Sequence, residues 1–160
     1  MSDVKEKSLE GIAGWLILPL LGLIIAPLRV SFFLYQQLLP VFTEGHWATL
    51  TTPGSGAYHP LWAPLLIGEI VGNVSVIALS LVALFFFLRR SLHAPKLVIA
   101  SLAFSLLFVG ADFFLADLIP AVAEQNDTES AKELGRAIMG AVIWIPYFLV
   151  SKRVKATFTR

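Results

Sequence analysis

Long apolar runs separated by short polar stretches dominate this chain, and that block pattern is its main structural signal. Four blocks stand out, at Ile12 to Leu39, Leu61 to Leu88, Leu97 to Ile119 and Leu134 to Val150. A helix crossing the hydrocarbon core needs about 20 residues, within a working range of about 17 to 25. Each block therefore predicts a transmembrane helix. The first two are long enough to tilt or to extend past the hydrocarbon, while the last relies on flanking Arg136 and Lys152 reaching outward. The expected fold is all-α: an integral membrane four-helix bundle, one domain over 1–160, with outer loops at 40–60 and 120–133.

The first block does not read as a cleavable signal peptide. Its apolar run is too long, the segment before it mixes Asp3, Glu6 and Glu10 with Lys5 and Lys7, and no small-residue cleavage site follows. Orientation follows from lysine and arginine in the short connections, because cytoplasmic loops retain positive charge during insertion. Lys5 and Lys7 precede the first block, Arg89, Arg90 and Lys96 lie between the second and third, and Lys152, Arg153, Lys155 and Arg160 follow the fourth. The two opposite connections carry only Lys132 and Arg136. Both termini are thus expected in the cytoplasm.

Composition agrees with the block pattern. Apolar residues make up 57% of the chain and charged ones 14%, too few charges to coat a soluble domain. A net charge of +1 gives no electrostatic footprint for nucleic acid, and the basic residues act as topology signals. The absence of cysteine excludes disulfides and thiolate metal sites. The lipid bilayer is the expected environment, with a membrane-protein partner or a second copy as the expected associate, and no cofactor is expected.

The outer loop at 40–60 holds the turn-forming cluster Pro53, Gly54, Ser55 and Gly56, with Trp47, Tyr58 and Trp62 around it as interface aromatics. His46, His59 and Glu44 match no established metal-ligand spacing, so a solvated loop is expected there. In the second outer connection, Asp127, Thr128 and Glu129 suit the capped, acidic start of a helix, which places the start of the fourth helix outside the bilayer. Asn126, Asp127 and Thr128 match a glycosylation acceptor, a short and unspecific pattern.

Any chemistry must lie in charges inside the spans. At about 1.5 Å per residue, Arg29, Glu69 and Asp112 fall about 10 to 15 Å below the outer ends of their helices. Asp117 and Arg136 sit nearer the outer surface. Such groups cost about 2.5 to 3.5 kcal/mol each at the bilayer centre on insertion scales, less near the interface, and normally face one another or water. A cluster of Arg29, Glu69, Asp112, Asp117 and Arg136 is therefore expected, with Arg29 paired to Glu69 or Asp112. Helical spacing adds a polar lining of Gln36, Asn73, Ser80, Ser101, Ser105 and Tyr147. Small residues Gly22, Gly72 and Gly140 on the same stripes suit close helix contacts in lipid, and Gly68 with Gly72 forms a GxxxG pair. Pro19, Pro27 and Pro146 are expected to kink their helices.

The stretches GIAGWLILPLLGLIIAPLR, Gly11 to Arg29, and RAIMGAVIWIPYFLVSKRVKATF, Arg136 to Phe158, resemble the two signature ends of the bacterial inner-membrane family called domain of unknown function 2569. The one departure is Ala13, where that family's pattern has a second glycine before Gly14 and Trp15. The resemblance implies a small multi-pass inner-membrane protein and brings no established activity or catalytic residue.

Within those ends, Trp15 and Trp144 are expected to pack between helices, and Lys152, Arg153 and Lys155 to meet the anionic leaflet at about 1 kcal/mol each. No metalloprotease, nucleophile-elbow, phosphate-loop or dinucleotide motif occurs, so an enzyme is not expected. The expected function is a structural or accessory membrane module whose charged layer sets helix register. The alternative is a proton- or cation-coupled transporter or sensor, because three acids against two arginines leave one carboxylate over. With only four helices, that alternative requires an oligomer.

Overall fold

The computed structural model describes residues 10–124 and 128–159. Lys5, Lys7 and Arg160 of the orientation argument, and Asn126 and Asp127 of the acceptor triplet, lie outside those residues.

Four helices are long and apolar enough to cross a membrane: α1 (Gly14–Thr43), α3 (Trp62–Leu88), α4 (Ala94–Ala116) and α6 (Thr128–Val150). Shorter helices α2 (His46–Thr51), α5 (Pro120–Ala123) and α7 (Lys152–Thr157) fill the connections and the end of the chain, and no strand occurs among the described residues. Only 11 to 28% of the most apolar stretch of each long helix is buried inside the bundle, so most of that surface points outward, as a lipid-facing helix requires. Relative to the expected blocks, α1 runs on to Thr43 and α4 is shifted toward its own start, while α6 begins ahead of its apolar block at Thr128, with Glu129 in its first turn, where an acidic helix start is expected.

Helix α1 is continuous but not regular. Its first turn, Gly14–Leu16, is 3₁₀, and Leu34–Leu38 is a π turn. Pro40 follows that π turn. Its ring has no N–H for the Gln36 carbonyl and crowds it, and the widened turn is where the helix accommodates the misfit. The kinks expected at Pro19, Pro27 and Pro146 produce no comparable break: Pro27 and Pro146 sit inside unbroken α-helix, and Pro19 lies in the first α-helical turn, just after the 3₁₀ turn. Gly45, at φ +81°, supplies the left-handed turn that ends α1 and starts α2.

Packing is sequential. Helix α1 lies on α3, α3 on α4 and α4 on α6, while α1 and α6 share no comparable contact. The main core sits at one end of the bundle. There Leu16, Phe87, Ala94, Phe148, Val154 and Phe158 are all buried together, with the Phe87 ring edge-on to Phe158 at 4.9 Å and to Phe148 at 6.4 Å. The Thr157 hydroxyl donates to the Gly11 carbonyl at 3.1 Å, and Ser151 caps α7 by accepting from the Val154 N–H at 3.4 Å. This end, which carries the start of α1, the connection between α3 and α4 and the end of α6, is closed. Trp15 departs from expectation: it is 67% exposed on the outside of the bundle rather than packed between helices.

Candidate functional site

Away from the closed end, the four helices diverge around a cavity of about 940 Å³ lined by residues from every long helix. Its geometry follows from helical periodicity. Glu69, Asn73, Val76 and Ser80 on α3, and Ser101, Ser105 and Asp112 on α4, recur at intervals of three, four or seven and so line single stripes. Close approach of these two helices depends on Gly72, because the Phe108 ring occupies the space where any Cβ at that position would stand. The other half of the GxxxG pair, Gly68, faces open space and holds nothing together. Deep in the cavity the buried hydroxyls of Ser80 and Ser101 stand 3.5 Å apart and tie α3 to α4.

The charged layer differs in membership from the expected cluster. Arg29, Glu69, Asp112 and Arg136 all line the cavity, as do Gln36, Asn73, Ser80, Ser101 and Ser105. Asp117 does not. It caps the end of α4, exposed, one turn beyond the lining surface. Tyr147 is also outside the cavity: its ring packs edge-on between Trp144, at 5.6 Å, and Phe148, at 5.8 Å, because α6 turns that position toward the closed core.

Glu133 takes the place of Asp117. The sequence sets it in the outer connection at 120–133 but also starts the fourth helix near Thr128, and α6 indeed contains it, one turn before Arg136 and two turns before Gly140. That spacing of three and seven was the signal that could have placed it. The expected pairing of Arg29 with Glu69 or Asp112 is corrected accordingly. Arg29 makes its ion pair with Glu133, across the gap between α1 and α6, with both side chains about half exposed.

The remaining groups are not matched in pairs. Among the described residues Glu69, Asp112 and Arg136 make no ion pair. The Asn73 amide, on the same lining, donates to the Glu69 backbone carbonyl at 2.8 Å. Asp112 lies within electrostatic reach of both Glu69 and Glu133. At the mouth, Glu129 is bound to Lys132 at 2.6 Å. With Arg29 and Glu133 matched, two carboxylates and one guanidinium remain around a solvent-sized space.

The outer connection carries the short helix α2 but holds no buried residue over 41–60, in keeping with the expected solvated loop. Trp47 stacks on Phe42 at 5.1 Å, and the Thr51 hydroxyl donates to the Trp47 carbonyl at 2.8 Å. His46 stands 3.5 Å from Glu44, and His59 Nδ1 accepts from the Leu61 N–H at 3.3 Å. Among the described residues no group of three or more His, Asp or Glu side chains is disposed to hold a metal ion.

The comparisons with known proteins bear on the family and on nothing finer. No curated protein and no solved structure matches the chain. The family model described as "Protein of unknown function (DUF2569)" matches residues 9–159. Its match spans both signature ends, which in three dimensions meet at the closed end, where Gly11 and Leu16 contact Thr157, Val154 and Phe158. An apolar four-helix chain matched over nearly its whole length is placed by that match: the protein belongs to the DUF2569 family.

Proposed function

We propose that this protein is a non-enzymatic accessory module of the bacterial inner membrane, with both termini in the cytoplasm, that binds a ligand in its four-helix cavity. The observation that carries this reading is the cavity itself, in which Glu69, Asp112 and Arg136 line about 940 Å³ of open space without pairing to one another. A charged layer serving only to set helix register would be expected to satisfy its charges internally, because an unpaired ionised group in a low-dielectric site is costly. Here a single pair, Arg29 with Glu133, has that structural role. Transport is the less favoured reading, because the closed end is sealed by Leu16, Phe87, Phe148 and Phe158 and offers no path through the bundle in this conformation.

The absence of native cysteine makes the test direct. In spheroplasts, a Ser105→Cys variant should react with a charged, membrane-impermeant thiol reagent, whereas Leu107→Cys, 72% exposed on the outer surface of α4 and so facing lipid, should not. Equal resistance of the two positions both in spheroplasts and in inside-out vesicles would show that the cavity is shut to water and would end the binding reading.

A further inference from the structure

From the shape and charge of the cavity, and resting on the binding reading above, we infer that its ligand is an amphipathic ammonium, a cationic head carrying one hydrocarbon chain, received sideways through the gap between α1 and α6. Three observations converge on this chemistry.

The first is the gap. Sequential packing leaves the first and last spans without close contact along the cavity, and the Arg29 to Glu133 pair bridges them only at the level of the charged layer. On the α1 side the lining residues Leu18, Ile25, Phe32 and Phe33 are also substantially exposed, so the wall of the cavity continues onto the outer, lipid-facing surface. A molecule dissolved in the bilayer can reach the interior without crossing water.

The second is the division of the lining. The charged groups form one layer, and toward the closed end the walls become mainly apolar, with Leu18, Leu23, Val76, Val98 and Leu102 around the mutually bonded hydroxyls of Ser80 and Ser101. From Arg29 to Leu18 the trough is about 16 Å long at about 1.5 Å per residue. That is roughly half of a hydrocarbon core about 30 Å thick, the length over which one leaflet's chain extends. A small hydrated ion would leave this trough empty, whereas a single chain fills it.

The third is charge. Once Arg29 and Glu133 neutralise each other, Glu69 and Asp112 face Arg136, and the layer carries one negative charge in excess when all are ionised. A neutral amphiphile does not compensate it and an anionic one adds to it. An ammonium head set between Glu69 and Asp112 compensates it with charge-assisted hydrogen bonds, and Asn73 lies on the same wall. The chemistry is that of a net-cationic ammonium on a single chain.

The test uses Trp144, which lines the cavity, as the reporter. In full-length protein carrying Trp15→Phe, Trp47→Phe and Trp62→Phe, held in a non-ionic maltoside, a bromine-bearing dodecylammonium should quench Trp144 fluorescence saturably. The matching brominated dodecanol should not. Glu69→Gln with Asp112→Asn, checked for unchanged helicity, should weaken quenching at least tenfold. If the double variant does not fold, the amine-to-alcohol comparison on the unaltered site still decides. Competition by unbrominated dodecylammonium, but not by the two-chain, net-neutral phosphatidylethanolamine, would support the single-chain cation, and equal competition by phosphatidylethanolamine would overturn it. Equal quenching by amine and alcohol, or undiminished quenching in the folded double variant, would overturn the ammonium assignment and leave the binding reading intact. No quenching by either probe, together with a reactive Ser105→Cys, would do the same. No quenching with an unreactive Ser105→Cys would remove both.

Discussion

Gly72 shows how much a single position decides. In lipid there is no hydrophobic drive between helices, so α3 and α4 are held by close fit and hydrogen bonds, and the fit here is the Phe108 ring lying against the bare backbone of Gly72. Gly72→Ala should cost about 1 to 3 kcal/mol in a denaturation titration, as overpacking does, with part of the loss recovered by adding Phe108→Leu. Gly68→Ala, which meets nothing within 4 Å, should stay within about 0.5 kcal/mol of the parent protein. A GxxxG pair read from sequence makes the two glycines equivalent; the side chain that distinguishes them comes from another helix. The same limit applies to the charges. Arg29, Glu69 and Asp112 were legible as residues at one depth because depth depends only on counting along each helix. Tyr147 departs from the expected lining because facing depends on the rotation of each helix about its axis, which neighbouring helices impose, and Asp117 because α4 ends there, one turn past the lining residue Phe113.

At the scale of the element, two departures from regularity shape the site. The π turn at Leu34–Leu38 rotates the outer part of α1 relative to its inner part, and Gln36, inside that turn, lines the cavity. The start of α6 at Thr128 adds a turn that carries Glu133 into the charged layer opposite Arg29. That pair is half exposed, so its coupling should be that of a solvent-accessible ion pair, not of a buried one. A double-mutant cycle with Arg29→Leu and Glu133→Leu, measured in detergent, should return a coupling of about 0.2 to 1 kcal/mol. Cycles of Arg29→Leu with Glu69→Gln or with Asp112→Asn should be additive within about 0.5 kcal/mol. A coupling of several kcal/mol to Glu69 or Asp112 would mean that Arg29 swings across the cavity and that the unpaired layer is not the resting arrangement.

The whole molecule is a row of four helices pinned at one end and open at the other. At the pinned end the described basic residues Arg89, Arg90, Lys96, Lys152, Arg153 and Lys155 flank the core, against Lys132 and Arg136 at the open end. That asymmetry carries the orientation proposal. A reporter active only in the cytoplasm should therefore be active when fused after Arg160 or within Ser91 to Ala94, and silent within Gly54 to Gly56. The reverse pattern would point the cavity at the cytoplasm and would also require Ser105→Cys to be labelled from the other side.

The number and length of the spans could be read directly from the chain, because crossing a bilayer demands an uninterrupted apolar run and nothing but length and composition tests it. The depth of the charged residues followed from the same count. Which helix neighbours which, and hence that α1 and α6 stand apart while their ends meet through Leu16, Val154 and Phe158, was decided only by tertiary packing. Apolar surfaces that suit lipid suit another helix equally well, so hydrophobicity cannot rank the possible partners. Shape does, through Gly72 under Phe108 and through the aromatic seal of Phe87, Phe148 and Phe158 at the closed end.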